Sequence, residues 1–345
     1  MALSFTLIRL RHLKREILMI KRTIVCNIYG GIMCTAISYK SKDVYFGRNL
    51  DLERSYNERV VITPRNYSFV MRNAKNMEVH YAMIGMAAVV NNYPLYYEAT
   101  NEKGVSMAGL NFPENAFYFE CVENKDNIAP FEFIPWILGQ CSCIEEVKQL
   151  LAKINLANIP FSEELPLSPL HWMISDKEKS IVVESVKEGF QIYDNPFEVL
   201  TNNPTFDYHR INLSNYMGLS VGPLNTQFCE TLPLHNYSLG MGAMGLPGDF
   251  SSASRFVRAF FVKENSVSDE NEKSCVNQFF HILGSVAMPK GCVWTKNGYE
   301  YTRYTSCCNV NKGIYYYSTY DNYEITAVAM HDVDLEQSNL YTFEI

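Results

Sequence analysis

The chain has 345 residues, of which 47% are hydrophobic and 19% charged, and its net charge is −7. That balance excludes a disordered chain, a collagen and a disulfide-stapled miniature scaffold, and no apolar run approaches the roughly 18 residues of a membrane span. Residues 1–33 carry Arg9, Arg11, Lys14, Arg15, Lys21 and Arg22 against Glu16 alone, a charge of +5, which leaves −12 on the remaining 312 residues.

Within the basic segment, Leu3, Leu7, Leu10, Leu13 and Ile17 recur at helical spacing with basic residues between them, the pattern of a surface-seeking helix. It is not a secretory signal: Arg9 and Lys21 interrupt its apolar stretches, and no small-residue cleavage site precedes Cys34. The alternative is that Met33 is the functional start and residues 1–33 are absent from, or removed in, the active protein. The acidic body lacks the basic stripe that phosphate binding needs, so nucleic acid is not expected as a partner.

Strand signals dominate the body. Residues 34–39 and 44–50 alternate about a turn at 40–43 and read as a hairpin. Further strands are predicted at 60–63, 81–90, 105–110, 171–175, 180–184, 189–193, 313–319 and 324–330. Polar turns lie at 176–179 and at Asp321-Asn322. Helices are predicted at 133–138, at 253–263 and at 276–286. A fourth is expected after a capping box running from Ser142 to Glu145, with Val147, Leu150, Leu151 and Ile154 on its buried face. Strands come in runs and helices in blocks, so the fold class is α+β, antiparallel sheets with helices outside. No linker divides residues 34–345, which are read as a single domain.

The ten cysteines form no C-x-x-C pair and the seven histidines no H-x-x-x-H, so no metal is expected. Without a secretion signal the thiols read as reduced and the protein as cytoplasmic. One cysteine differs from the rest. If Met33 is lost, Cys34 becomes N-terminal and holds a thiol nucleophile and an α-amine base on one residue, the amine titrating near 7.7–8.0. An amine locked in a peptide bond cannot take that role.

Further along, Arg48 and Asp51 lie three positions apart in Phe46-Gly-Arg-Asn-Leu-Asp51, on opposite faces of a straight strand. Gly47 and Asn49 would permit a bend, an arginine near sulfur favours thiolate, and spacing alone fits a surface pair at a strand end. Asn111, Asn202 and Arg255 are polar residues in apolar stretches. Read singly they are turn asparagines and a helix-start arginine, and amides are also what an oxyanion hole is built from. His171 and His209 are candidates for a separate base. Met86, Tyr93, Tyr96 and Tyr97 are candidates to line an apolar slot from loops.

Together the blocks Met-Cys-Thr-Ala, Phe-Gly-Arg-Asn-Leu-Asp, Asn-Glu-Lys-Gly-Val-Ser-Met-Ala-Gly-Leu-Asn-Phe-Pro, Leu-His-Trp-Met-Ile-Ser-Asp, Leu-Thr-Asn-Asn-Pro-Thr-Phe and Gly-Leu-Pro-Gly-Asp-Phe-Ser-Ser-Ala-Ser-Arg-Phe, with Tyr-Thr-Ser-Cys, closely resemble the choloylglycine hydrolase family. That family comprises N-terminal-nucleophile amidases, among them bile salt hydrolases and penicillin V acylases. The resemblance implies an αββα four-layer sandwich, no cofactor and a homotetramer, while the lack of a long apolar run argues against stable membrane insertion. It implies Cys34 as nucleophile and its α-amine as base, with Arg48 and Asp51 flanking. It further implies Asn111 and Asn202 at the oxyanion hole and Arg255 setting the charge on the cysteine. Asparagine at 111, where penicillin V acylases more often resemble one another in carrying tyrosine, points to a conjugated bile salt as substrate. The alternatives are a penicillin V acylase or other N-acyl amidase, and a non-catalytic or precursor form if the extension is retained.

Overall fold

Alternating and continuous runs of β-branched and aromatic residues build most of the molecule, and the computed structural model describes residues 33–225, 229, 231–232 and 234–345. The amphipathic pattern at 1–32 lies outside the described residues. The strands in chain order are β1 Met33–Lys40, β2 Val44–Leu52, β3 Glu58–Thr63, β4 Met83–Val90, β5 Tyr93–Asn101, β6 Ser106–Asn111, β7 Asp126–Ile128 and β8 Ile154–Leu156. They continue with β9 Leu170–Ser175, β10 Ser180–Val186, β11 Gly189–Asp194, β12 Val199–Leu200, β13 Val293–Thr295, β14 Gly298–Asn309, β15 Ile314–Thr319, β16 Thr326–Ala329 and β17 Tyr341–Glu344. The α-helices are α1 Phe133–Leu138, α2 Ile144–Leu151, α3 Phe206–Asn212, α4 Ser252–Glu264 and α5 Glu272–Gly284.

Two antiparallel sheets stack face to face. One runs β12-β1-β2-β14-β15-β16, with β13 joined to β14, and the other runs β11-β10-β9-β6-β5-β4-β3-β17. Helices α4 and α5 pack on the outer face of the first sheet against β1, β2 and β14, and α1 packs on the second against β5 and β6. The fold is therefore the expected α+β, αββα four-layer sandwich. One apolar cluster fills the space between the sheets and under α4 and α5, and a second lies beneath α1 and α2.

Several expectations needed correction. Strands β5 and β14 were not foreseen, although β14 is the longest in the fold at 12 residues. Neither alternates cleanly, because each carries a β-bulge and each is buried on both faces. The helix over 144–151 ends before Ile154, which instead begins β8 and pairs in parallel with β7. Its expected capping box is also different. Cys143 occupies the cap, while Glu146, not Glu145, reaches back to the Ser142 backbone N–H at 2.7 Å and its hydroxyl at 2.8 Å. Glu145 pairs with Lys179 instead.

Candidate active site

Everything near Cys34 follows from the register of β1 against β2. Cys34 lies opposite Leu50, Ala36 opposite Arg48 and Met33 opposite Asp51, without a break. Residues directly opposite in an antiparallel pair share a face. The Cys34 thiol, Arg48 and Leu50 therefore face the interior of the sandwich, and Thr35, Asn49 and Asp51 face the helices. The expected bend is absent. Gly47 serves close approach instead, since a Cβ there would sit 2.1 Å from the Ser306 carbonyl oxygen on β14. Nor do Arg48 and Asp51 form a surface pair: both are fully buried, on opposite faces.

On the interior face, Arg48 donates from Nη1 to the carbonyls of Gly109 at 2.6 Å and Tyr97 at 3.1 Å, reaching across to the second sheet. Its Nη2 has no hydrogen-bond partner. Burial opposes its charge, but Cys34, Tyr304 and Glu98 hold the guanidinium firmly protonated. Burial pushes the Cys34 thiol up. Arg48 acts against that, as do the nearby Asn111 backbone N–H and Arg255, while Asp51 adds to it.

The main chain of Cys34 is held by a separate set of groups. Its N–H donates to Asn202 Oδ1 at 2.8 Å, and its carbonyl accepts from Arg255 Nη1 at 2.5 Å. Arg255 also donates from Nη1 to Thr35 Oγ1 at 2.7 Å and from Nη2 to Asn202 Oδ1 at 2.7 Å. Asn202 Nδ2 donates to the Asn111 carbonyl at 2.8 Å. Counting on from the Ala36–Leu200 pair of β1 and β12 brings Asn202 opposite Cys34, which is why this residue meets the N–H. Arg255 comes from the first turn of α4, whose Ser251 cap accepts from the Ser254 N–H.

Asp51 accepts from Thr302 Oγ1 at 2.6 Å through one oxygen, and its other carboxylate oxygen is buried without a partner. Burial lifts it to about 6, with Arg255, Thr302 and Arg48 pulling the other way. Beside it, Glu300 accepts from the Met33 N–H, and burial pushes this carboxyl to about 9.

Cys34, Arg48 and Asn111 open onto a cavity of about 240 Å³. Its wall is largely apolar: Leu50 and Leu52 of β2, Tyr96 and Tyr97 of β5, Phe131, and the turn-rich segment 161–168. Of the slot residues expected from sequence, Tyr96 and Tyr97 line it, on a strand rather than a loop. Met86 is instead buried in the inter-sheet core, and Tyr93 stacks edge-on against Phe69 and Phe131. Segment 161–168 was missed. Its signal, apolar residues set among Pro160, Pro166 and Pro169, marks an apolar loop with no regular element to bury it.

The histidines are committed elsewhere. His171 has one ring nitrogen on Glu184 at 3.1 Å and the other on the Thr201 carbonyl at 2.8 Å, and its ring stacks on Phe112. His209 contacts the Asn202 carbonyl at 2.9 Å and stacks on Phe256, and burial lowers it to about 4. Both act as braces for the Asn111 and Asn202 segments.

The comparison with known families decides the matter: residues 34–343 match the model for linear amide C–N hydrolases, choloylglycine hydrolase family. The chain belongs to the choloylglycine hydrolase family. The chain is 56% identical over 314 residues to the bile salt hydrolase/transferase of Lactiplantibacillus plantarum, covering 91% of this chain and 97% of that protein. It is 41% identical to the bile salt hydrolase/transferase of Clostridium perfringens, covering 90% and 97%. Among solved structures, a cysteine-to-alanine variant of conjugated bile acid hydrolase from Clostridium perfringens superposes with a TM-score of 0.84 at 40% identity, covering 90% of this chain and 97% of that one. Penicillin V acylase from Agrobacterium tumefaciens shares the choloylglycine hydrolase fold at a TM-score of 0.69 and 18% identity, covering 90% of each chain.

Proposed function

We propose that this choloylglycine hydrolase cleaves the amide bond of glycine- or taurine-conjugated bile salts, with Cys34 as N-terminal nucleophile. The observation that carries the reading is the position of Cys34: its thiol opens on an apolar cavity of about 240 Å³ while its backbone nitrogen is gripped by Asn202 Oδ1 at 2.8 Å. An apolar slot ending at a thiol suits a steroid acyl group, and the names of the relatives give the same substrate class.

In the active chain residue 33 is absent and the Cys34 nitrogen is a primary amine. Asn202 Oδ1 and the unpartnered Asp51 oxygen accept from it and orient its lone pair. The amine takes the thiol proton as sulfur attacks the substrate carbonyl carbon. The tetrahedral oxyanion is stabilised by donors from the Asn111 and Asn202 region, and Arg48 favours the thiolate from the cavity side. The α-ammonium then returns its proton to the departing glycine or taurine nitrogen as the C–N bond breaks. Water, deprotonated by the same amine, adds to the thioester and releases bile acid and thiol. Residues 34–345 form the catalytic domain in this reading, and residues 1–33 must be absent.

Two measurements test it. The intact mass of active protein should correspond to a chain beginning at Cys34, and retention of residue 33 in fully active enzyme would sink the mechanism. That enzyme should release glycine from glycocholate faster than phenoxyacetate from penicillin V, and the reverse order would make it an acylase of the other substrate class. The homotetramer is proposed as well. Its support is the exposed apolar set Met217, Val221, Leu234, Tyr237 and Leu239, and its check is a fourfold protomer mass by light scattering.

A further inference from the structure

Across the sandwich from Cys34 lies a buried polar cage that the catalytic proposal leaves unused. Glu98, on β5, is 2% exposed. One of its oxygens accepts from the Tyr304 hydroxyl at 2.8 Å, and the other from Tyr315 at 2.5 Å and Ser306 at 3.0 Å. The nearest cation is Arg48, whose Nε stands 3.9 Å from the carboxylate, outside hydrogen-bond reach.

Two β-bulges, one in each sheet, build this arrangement. In β14 the register against β2 slips between Thr302 and Tyr304, so that Thr302 faces Asp51 but Tyr304 faces Leu50. Without the slip, Tyr304 and Ser306 would point at the helices; with it they enter the sandwich. In β5 the register against β4 slips at Tyr97, so that Tyr96 pairs with Ala87 on the outer face and Glu98 with Met86 on the inner one. The extra residue, Tyr97, lends its carbonyl to Arg48 at 3.1 Å. Bulges that re-aim side chains toward a site are a recurrent device.

We infer that Glu98, held at a distance by Tyr304, Tyr315 and Ser306, is the positioning counter-charge that keeps Arg48 beside Cys34 without quenching its field. A carboxylate bonded directly to the guanidinium would cancel most of its attraction for a thiolate. A buried guanidinium with no counter-charge would be costly to keep. Three neutral hydroxyls occupying the carboxylate avoid both extremes. The charged and titratable neighbours of Glu98 are Arg48 from β2, Tyr97 from β5, Tyr304 and Cys308 from β14 and Tyr315 from β15. Those acting on Cys34 are Arg48, Asp51 and Arg255. Burial pushes Glu98 up, while Arg48 and the three hydroxyls pull it back.

The inference rests on Cys34 as nucleophile, and the test separates the two. In enzyme beginning at Cys34, the rate of iodoacetamide alkylation of that residue is followed against pH by mass spectrometry of the N-terminal peptide. Glu98→Gln should move the midpoint down by about half a pH unit or more, since Arg48 is no longer balanced. Tyr304→Phe should move it up, since the freed Oε2 can close onto Arg48. Opposite shifts support the cage, and any other pattern overturns it. If Glu98→Gln does not fold, as judged by its melting transition, the rise in Tyr304→Phe decides alone. Loss of hydrolysis in step with Cys34 alkylation tests the nucleophile itself, whatever the variants do.

Discussion

The two faces of the β1–β2 pair are chemically unlike. The interior face presents the Cys34 thiol, Leu50 and Leu52, with one cation, Arg48, and opens on the cavity. The helix face presents Thr35, Asn49 and Asp51, each with its own polar partner: Arg255 for Thr35, Thr305 for Asn49 and Thr302 for Asp51. One strand can serve both because its side chains alternate while its backbone belongs to neither face. The proposed mechanism, with the Cys34 thiol as nucleophile and its own nitrogen as base, uses this division directly. The sulfur borders a largely apolar cavity, and the nitrogen is met by the polar pair Asn202 and Arg255.

That division can be broken by substitution on each side. The largest effect is expected for Cys34→Ala, which removes both attack and thioester and should reduce glycocholate hydrolysis to background. Wild-type turnover in this variant would refute the assignment. Asn202→Ala removes the acceptor for the Cys34 nitrogen and the link to Asn111, and kcat should fall by about 10²–10³-fold with KM little changed. A change confined to KM would reassign Asn202 to substrate binding. On the cavity side, Leu50→Ala or Phe131→Ala should chiefly raise KM for the bile salt, several-fold, because apolar wall is lost and no reacting group is touched. Leu50→Ala, in the core, should also cost about 2–5 kcal/mol of stability, read from denaturant melts.

The smallest effect concerns pH. In a chain retaining Met33, Asp51 is lifted from its ordinary 3.8 to about 6 and Glu300 from 4.5 to about 9. An acid with a raised folded pKa binds its proton more tightly when folded. Its stabilisation is present below the unfolded value and lost as pH rises through the folded one. Stability should therefore fall between about pH 4 and 6 through Asp51, and over roughly 4.5 to 9 through Glu300. Asp51→Asn should flatten the first decline and Glu300→Gln the second, as seen in melting temperature against pH. In a chain beginning at Cys34, the nearby ammonium should remove most of the Asp51 decline.

Much of this site was legible in the linear order. The Met33-Cys34 junction, the Arg48–Asp51 spacing and the asparagines at 111 and 202 were readable because each belongs to a contiguous block. The four-layer α+β sandwich followed from runs of strands and blocks of helices together with the family resemblance. Which face each residue takes is a different matter. Spacing alone allowed Arg48 and Asp51 to be an exposed pair, and only the pairing of β2 between β1 and β14 buried both and parted them. Glu98 drew no notice as one carboxylate in an apolar strand, because its meaning depends on two bulges in different sheets and on hydroxyls some two hundred residues away. Local propensity and short motifs are fixed by neighbours in sequence. The sign of a residue's face, once a bulge shifts the register by one, is fixed by the strand across from it.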